Sequence, residues 1–315
     1  MVTTRLDPLP TELFDIDYRS ITDRVERRSK GPVRRGLDVV RQDILNNDPV
    51  SGVVSGLYSG DLTPAVLYRD MAQLLVDLDI PIDPIQDYLE RSGRSVMRIS
   101  GREIAKRVED YTIDREGLDY QRRDVIFDER DPLLTEEVTR GSRLFWDMFA
   151  KDSIRAIKDE IESAYLEDDA DGGTIARRVE SVAGLSPRQA RALRRMRTTL
   201  RSGPLSAARQ EQQLSDYAEK LFDDRVKMTV RTELNRVANA SVISYWGQMI
   251  NRGSLDRNSV VVQWETAFDE RTCSICGPLD GVTTAIHGSF TPTVVAPPAH
   301  PNCRCYLNVV DVRKT

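Results

Sequence analysis

For its first 272 residues the chain has neither a cysteine nor a histidine. Thiol and imidazole chemistry is therefore excluded from most of its length, and with it any disulfide, soft-metal or histidine-based site there. No apolar run approaches the length of a membrane span. The N-terminal stretch MVTTRLDPLPTELFDIDYRS lacks the basic and apolar segments of a secretory signal. The expectation is a protein made and kept in a cytoplasm, where thiols stay reduced. A Gly-rich phosphate loop, a G-x-S-x-G elbow and an H-E-x-x-H pair are all missing. No repeat of 20–50 residues is visible. Positive charge is not in excess either: the net charge is -5 and the pI about 5.4, so the molecule as a whole is not a polycation suited to nucleic acid.

What is present is ordinary for a charged, helix-rich chain: 315 residues, 40% hydrophobic, 30% charged, mean hydropathy -0.43. That length allows two domains or one elaborated domain. Residues 1–30, polar and holding Pro8 and Pro10, read as an extended arm. Val33, Leu37, Val40 and Ile44 predict a helix over 32–46. The Gly/Ser-containing SGVVSGLYSGD, 51–61, reads as a turn-rich linker. Thr63-Pro64 opens a further helix, stopped by Pro81 and Pro84. A charged helix follows over 85–111, then an irregular stretch at 112–132, then a helical pattern over 135–165 that carries the cluster Leu144, Phe145, Trp146, Met148 and Phe149. The acidic run LEDDADGG, 166–173, precedes a short helix at 174–182.

Ser186-Pro187-Arg188-Gln189 has the form of a capping box with proline at the first helical position. It opens a basic helix that Gly203-Pro204 ends. A long helix is predicted from Ser206 to about Ile250, with Leu214, Tyr217, Leu221, Met228, Leu234, Val237, Ser241, Tyr245 and Met249 as its stripe. After 255 the period changes to two. VVVQWETA, 260–267, and CYLNVVDV, 305–312, read as strands.

All four cysteines and both histidines fall in the last 43 residues. Cys273 and Cys276 form a C-x2-C pair; His300, Cys303 and Cys305 form an H-x2-C-x-C cluster. A C-x2-C turn aims two thiolates at one point, and zinc takes four such ligands in a tetrahedron. Disulfides fit poorly, because each pair would close a very small loop. Five donors compete for four places: Cys273, Cys276 and Cys303 are the firmest, and His300 and Cys305 contend for the fourth. His287 is a weaker candidate, better read as a loop histidine. A site closed by four protein ligands is structural, not catalytic. Its metal would supply folding energy that a segment with few large apolar residues lacks. A His-Asn-His nuclease reading of His300 and Asn302 fails for want of further ligands.

Two helical features carry open alternatives. Arg188, Arg191, Arg194, Arg195, Arg197 and Arg201 are either a contact for nucleic-acid phosphates or an acidic partner, or a solvated face paired with the acidic run at 166–171. Arg231 and Asn235 share one face of the long helix. They are either an exposed polar stretch or a dock for the backbone of the metal-bearing segment.

Taken in order, GLSPRQARAL (184–193), RTELNRVANA (231–240) with Trp246 after it, VQWETAFDERTCSICGPLDG (262–281) and PPAHPNCRCYL (297–307) resemble the phage Mu F-like head morphogenesis family, the minor head proteins of tailed viruses. The resemblance covers roughly 170–310. The first 165 residues carry no motif of the family. It implies a virion component and not an enzyme, located in the capsid interior near the portal vertex. Its partners would be the portal protein, the major capsid or scaffold protein and packaged DNA, with no membrane, and it would assist head assembly or genome packaging and ejection. The expected architecture is mainly α: an arm at 1–30, a helical attachment region at 31–165, and a Mu F-like domain at 166–315. In that last domain a long helix leads to a small α+β unit stapled by zinc at 264–307. The competing readings are a zinc-dependent nucleic-acid module, thinly supported by Arg271, Arg304 and Arg313, and a toxin-type enzyme carried by the virion.

Overall fold

A computed structural model describes residues 18–46, 48–61, 83–114, 127–166, 171–253, 255, 258–267, 269–270 and 272–312. The fold is mainly α. Seven helices are described: α1 (Tyr18–Asn46), α2 (Asp48–Ser59), α3 (Asp83–Asp114), α4 (Pro132–Tyr165), α5 (Gly172–Val182), α6 (Pro187–Arg201) and α7 (Ala207–Asn251). Three strands follow: β1 (Val260–Glu265), β2 (Thr283–Ala285) and β3 (Tyr306–Val312). The chain forms two compact units, residues 1–29, 89–142 and 228–315, and residues 30–88 and 143–227. Each unit draws on both sides of the boundary expected at 165–166.

Two expectations are corrected. Residues 18–30, assigned to an extended arm, belong to α1. The buried positions Val25, Ser29, Val33, Leu37, Val40 and Ile44 keep helical spacing throughout, but Ser29 is polar and hides the period, and Pro32 sits inside the helix. Residues 51–59, assigned to a linker, form most of α2. Val50, Val53 and Leu57 face its core at helical spacing, and only Gly60, at φ 80, ends it. The remaining arm and the helix expected after Thr63-Pro64 lie outside the described residues.

In the unit of residues 30–88 and 143–227, α2 packs on α5. Gly172 makes that approach feasible, since a Cβ there would lie 2.1 Å from the carbonyl oxygen of Leu57. The capping box of α6 forms as expected: the Ser186 hydroxyl accepts from the Gln189 amide, and the Gln189 carboxamide accepts from the Ser186 N–H.

In the other unit, α7 is buried on more than one face. Leu234, Val237, Ala238, Val242, Tyr245, Trp246 and Met249 are all nearly solvent-free. The sheet is antiparallel with order β2-β1-β3, so β1 lies at its centre. Val260, Val262 and Trp264 alternate inward along β1, as period-two patterning requires. The short edge β2 was not foreseen; its three residues, TTA, carry too little pattern to announce a strand.

Candidate metal centre

Local hydrogen bonding builds both halves of the site. Cys273 lies after β1, where the Gly277 N–H donates to its carbonyl at 2.9 Å and the Cys276 N–H reaches its sulfur at 3.4 Å. A single 3-10 turn, Gly277–Leu279, then carries the chain away. In the second half the Cys303 N–H donates to the His300 carbonyl at 3.1 Å. That turn puts Asn302 at φ 62, a left-handed conformation that asparagine tolerates.

All five sequence-predicted donors meet here, in two overlapping trios: Cys273, Cys276 and His300, and Cys276, Cys303 and Cys305. Within each trio the donor atoms lie within 4.8 Å of one another. His300 Nε2 is 3.0 Å from Cys273 Sγ and 3.2 Å from Cys276 Sγ. Cys276 Sγ is 3.8 Å from Cys303 Sγ. A tetrahedron with metal–sulfur bonds of about 2.3 Å has sulfur–sulfur edges of about 3.8 Å, so the Cys276–Cys303 pair is spaced as two ligands of one ion would be, and either trio could contribute to a metal site. His300 Nδ1 lies 2.8 Å from the Pro301 carbonyl. Nδ1 therefore carries the proton, and the Nε2 lone pair faces the thiols, as a ligating imidazole requires. His287 is exposed and falls in neither trio.

Without an ion the electrostatics divide the thiols, favouring the thiolate at Cys273 and Cys303 and the neutral thiol at Cys276 and Cys305. Burial opposes ionisation of Cys273, but the N–H groups of Cys276 and Ile275 outweigh it and lower its pKa. A hydrogen bond from Cys305, stronger than the opposing burial, brings Cys303 down to about 5. The same bond, together with burial, pushes Cys305 far up. Burial and then the neighbouring Cys303 charge raise Cys276 to about 12. His300 is raised overall: burial opposes its charge, but the Pro301 carbonyl and the charges of Cys303 and Cys273 favour it.

The residues between the donors are explained by the same geometry. Trp264, with Cys276, Leu279, Cys303 and Cys305, forms the small core under the site, and Phe290 meets its ring edge-on at 5.3 Å. Asp280 accepts from both the amide and the hydroxyl of Thr266, at 2.8 and 2.9 Å. Gly281, at φ 74, returns its N–H to the Trp264 carbonyl. Asp269 receives both terminal nitrogens of Arg304, at 2.7 and 2.5 Å, tying the segment before the first knuckle to the second. Arg304 is thus committed inside the domain. Arg271 and Arg313 lie outside the described residues.

The long helix holds this assembly. Asn235 donates to the Cys305 carbonyl at 2.9 Å, and Asn239, one turn on, accepts from the Leu307 N–H at 2.7 Å. Two side chains at i, i+4 therefore pair with backbone groups around the start of β3 that the ladder leaves over. Thr232 accepts from the Asn302 N–H at 2.8 Å, and Arg231 donates to the Asn302 side chain at 3.2 Å while pairing with Glu26. Of the two readings of the Arg231 and Asn235 face, docking is the one observed. Asn239, Asp269 and Asp280 were not singled out from sequence. Only the i, i+4 recurrence of asparagine could have pointed to one of them.

The basic helix α6 divides. Arg194 and Arg197 turn inward to the carboxylate of Glu160, which Arg178 also reaches at 2.7 Å; Glu160 is 1% exposed. Arg188, Arg191, Arg195 and Arg201 are exposed. Two of the α6 arginines, Arg194 and Arg197, reach Glu160 on α4; residues 167–170 of the acidic run lie outside the described residues. Asp171, the last residue of that run described, caps α5 instead.

Residues 205–308 match the family model described as Phage Mu protein F like protein. The span takes in α7, β1, β2, the start of β3 and all five donors, and it bears out the resemblance to the phage Mu F-like head morphogenesis family read from the sequence. No curated protein and no solved structure matches. Among the described residues, no helix is long and apolar enough to cross a membrane.

Proposed function

We propose that the protein is a minor head protein of a tailed virus, a non-catalytic virion component of the capsid interior near the portal vertex. Its partners are the portal protein and the major capsid or scaffold protein, and it aids head assembly or genome packaging and ejection. The observation that carries this reading is the family match over 205–308, which coincides with the segment where metal donors, Trp264 core and α7 dock are assembled as one unit. Purified virions and proheads of the cognate virus test it. Mass spectrometry should find the chain in both, in far fewer copies than the capsid protein, and reconstruction should put it at the portal vertex. Its absence from both particles overturns the reading.

The metal is zinc and its role is structural. Cys273, Cys276, Cys303 and His300 form the ligand set, and the Cys305 thiol donates a hydrogen bond to Cys303. What favours His300 over Cys305 is the imidazole geometry: its second nitrogen is tied to Pro301, and Nε2 stands within 3.2 Å of two thiols. Four protein ligands leave no open position for water, which supports a staple over a catalytic centre. His300→Ala should lose the metal, and Cys305→Ser should keep it. The reverse result exchanges the two residues' roles.

A further inference from the structure

His300, Pro301, Asn302 and Cys303 make one turn, and two of the five donors stand at its first and fourth positions. The Cys303 N–H closes it on the His300 carbonyl, proline sits second, and asparagine sits third at φ 62. That is the residue order of a type II turn, whose central peptide is flipped relative to the commoner type I. The central peptide, Pro301–Asn302, is held at both ends. Its carbonyl accepts from His300 Nδ1 at 2.8 Å, and its N–H donates to the Thr232 hydroxyl on α7 at 2.8 Å. The Thr232 proton is itself committed, donated to the Met228 carbonyl at 2.7 Å, so a lone pair of the hydroxyl meets the Asn302 N–H. Beside it, Arg231 places Nε and one terminal nitrogen on the Glu26 carboxylate, at 3.2 and 3.1 Å. Its other terminal nitrogen turns to the Asn302 side chain at 3.2 Å.

We propose, on the reading of His300 as a zinc ligand, that Thr232 is a positioning residue for the metal. It acts on His300 through the Pro301–Asn302 peptide, and Arg231 with Glu26 steadies the same turn. A peptide is planar, so its carbonyl and its N–H turn together. Fixing the N–H on α7 therefore fixes the carbonyl that holds the Nδ1 proton. With Nδ1 protonated, the Nε2 lone pair is the one presented to Cys273 and Cys276, at 3.0 and 3.2 Å. A carbonyl acceptor on Nδ1 also raises the basicity of Nε2 as a ligand. Without Thr232 the central peptide is free to take the type I orientation. The carbonyl then leaves Nδ1, and neither the tautomer nor the direction of the ring is fixed. The first knuckle closes through its own amides, at the Cys273 carbonyl and sulfur, so the effect should fall on the histidine and not on that cysteine pair.

The test uses the full chain. Zinc affinity is measured by competition with a chromophoric chelator, and the imidazoles are read by nitrogen-15 NMR of histidine-labelled protein. The chain has two histidines, so the exposed His287 serves as reference. Thr232→Val should lower zinc affinity about tenfold. That is the lower end of the range of about 10–100-fold for groups behind a metal ligand, because the bond to Asn302 is exposed. The His300 Nδ1 proton should exchange faster than in the wild type. Thr232→Ser should restore both. Glu26→Gln breaks a partly exposed ion pair and should lower affinity about twofold to fivefold. Gln248→Leu is the control on the same helix. It loses two bonds to the Asp128 backbone, at 2.9 and 3.1 Å, touches neither knuckle, and should leave zinc affinity unchanged. Unchanged affinity or unchanged Nδ1 exchange in Thr232→Val overturns the proposal. So does a loss of affinity in Gln248→Leu equal to that in Thr232→Val, which would make the effect one of general stability. A wild type that binds no zinc removes the metal reading itself, whereas zinc on a wild type and on Thr232→Val alike removes this role of Thr232 alone.

Discussion

The unit of residues 30–88 and 143–227 and the C-terminal part of the other unit satisfy their buried polar groups by opposite means. In the first, formal charge is taken inside. Glu160 is gripped by Arg178 and Arg197 with Arg194 at the margin, and Arg225 is buried with its guanidinium 3.9 Å above the Phe149 ring, donating to the carbonyls of Phe149 and Gly184. Burial pushes Arg225 down to about 10, with Asp152 opposing, so it stays charged at neutral pH. In the second, neutral carboxamides make the most buried links: Asn235, Asn239 and Gln248 each pair with backbone groups of another segment, five soft donors gather in two overlapping trios, and charge enters only at partly buried ties such as Asp269–Arg304. A charge pair needs its partner in place but no outside component. A knuckle without its ion is a set of thiols under one tryptophan. The two regions should therefore fail under different insults.

The largest separation should come from the metal. Chelation, or Cys276→Ser, should unfold roughly 260–312 and leave the helices of residues 143–227 intact, because zinc-finger-like sites derive about 10–16 kcal/mol of apparent folding energy from the ion. Hydrogen exchange read by peptide should show full loss of protection in the first segment alone. Equal loss in both breaks the comparison. Next is Glu160→Gln, which removes the buried carboxylate that Arg178 and Arg197 share and should cost about 3–5 kcal/mol, read by urea unfolding of the helical unit with zinc content unchanged.

Acid should act on the same group. Burial raises the pKa of Glu160, but Arg197 and Arg178 overcome it and hold the value below the ordinary glutamate range. A depressed folded value means the carboxylate's contribution is complete above the unfolded pKa and is lost as pH falls through the lower folded one. Unfolding free energy of the helical unit should decline below about pH 4.5 in the wild type and show a smaller decline in Glu160→Gln. A smaller effect, about 1–3 kcal/mol, is expected for Asn239→Leu, which strands the Leu307 N–H; amide exchange at Leu307 should quicken while zinc stays bound. Smallest is Arg304→Lys. It exchanges a bidentate grip on Asp269 for a single contact at a partly exposed pair, and should cost about 1 kcal/mol.

The sequence announced these regions unevenly. The donors, Trp264, the Ser186 capping box and the long helix were all legible, because each rests on residue type at fixed short spacing. The stripe of α7 was only roughly placed: Leu214, Ala218, Phe222 and Val226 are the buried run, whereas Tyr217, Leu221 and Met228 are half-buried. A helix that is covered on several sides has no single stripe to read. The start of α1 was hidden by a buried serine, and α2 by its glycines. The partner of α6 was not recoverable from spacing, since Glu160 lies 34 residues before Arg194 and on another helix. The same holds for the Asp269–Arg304 tie, whose members were seen only as letters of a motif. The bridging role of Asn239 depends on which edge of β3 faces α7, and alternation alone does not say.

The central claim is that one ion closes the C-terminal knuckles against α7. Elemental analysis of the full chain, purified under reducing conditions without added metal, tests it most directly. About one zinc per folded chain is expected, lost together with the protection of residues 260–312. A folded, metal-free chain with that segment still protected would contradict it.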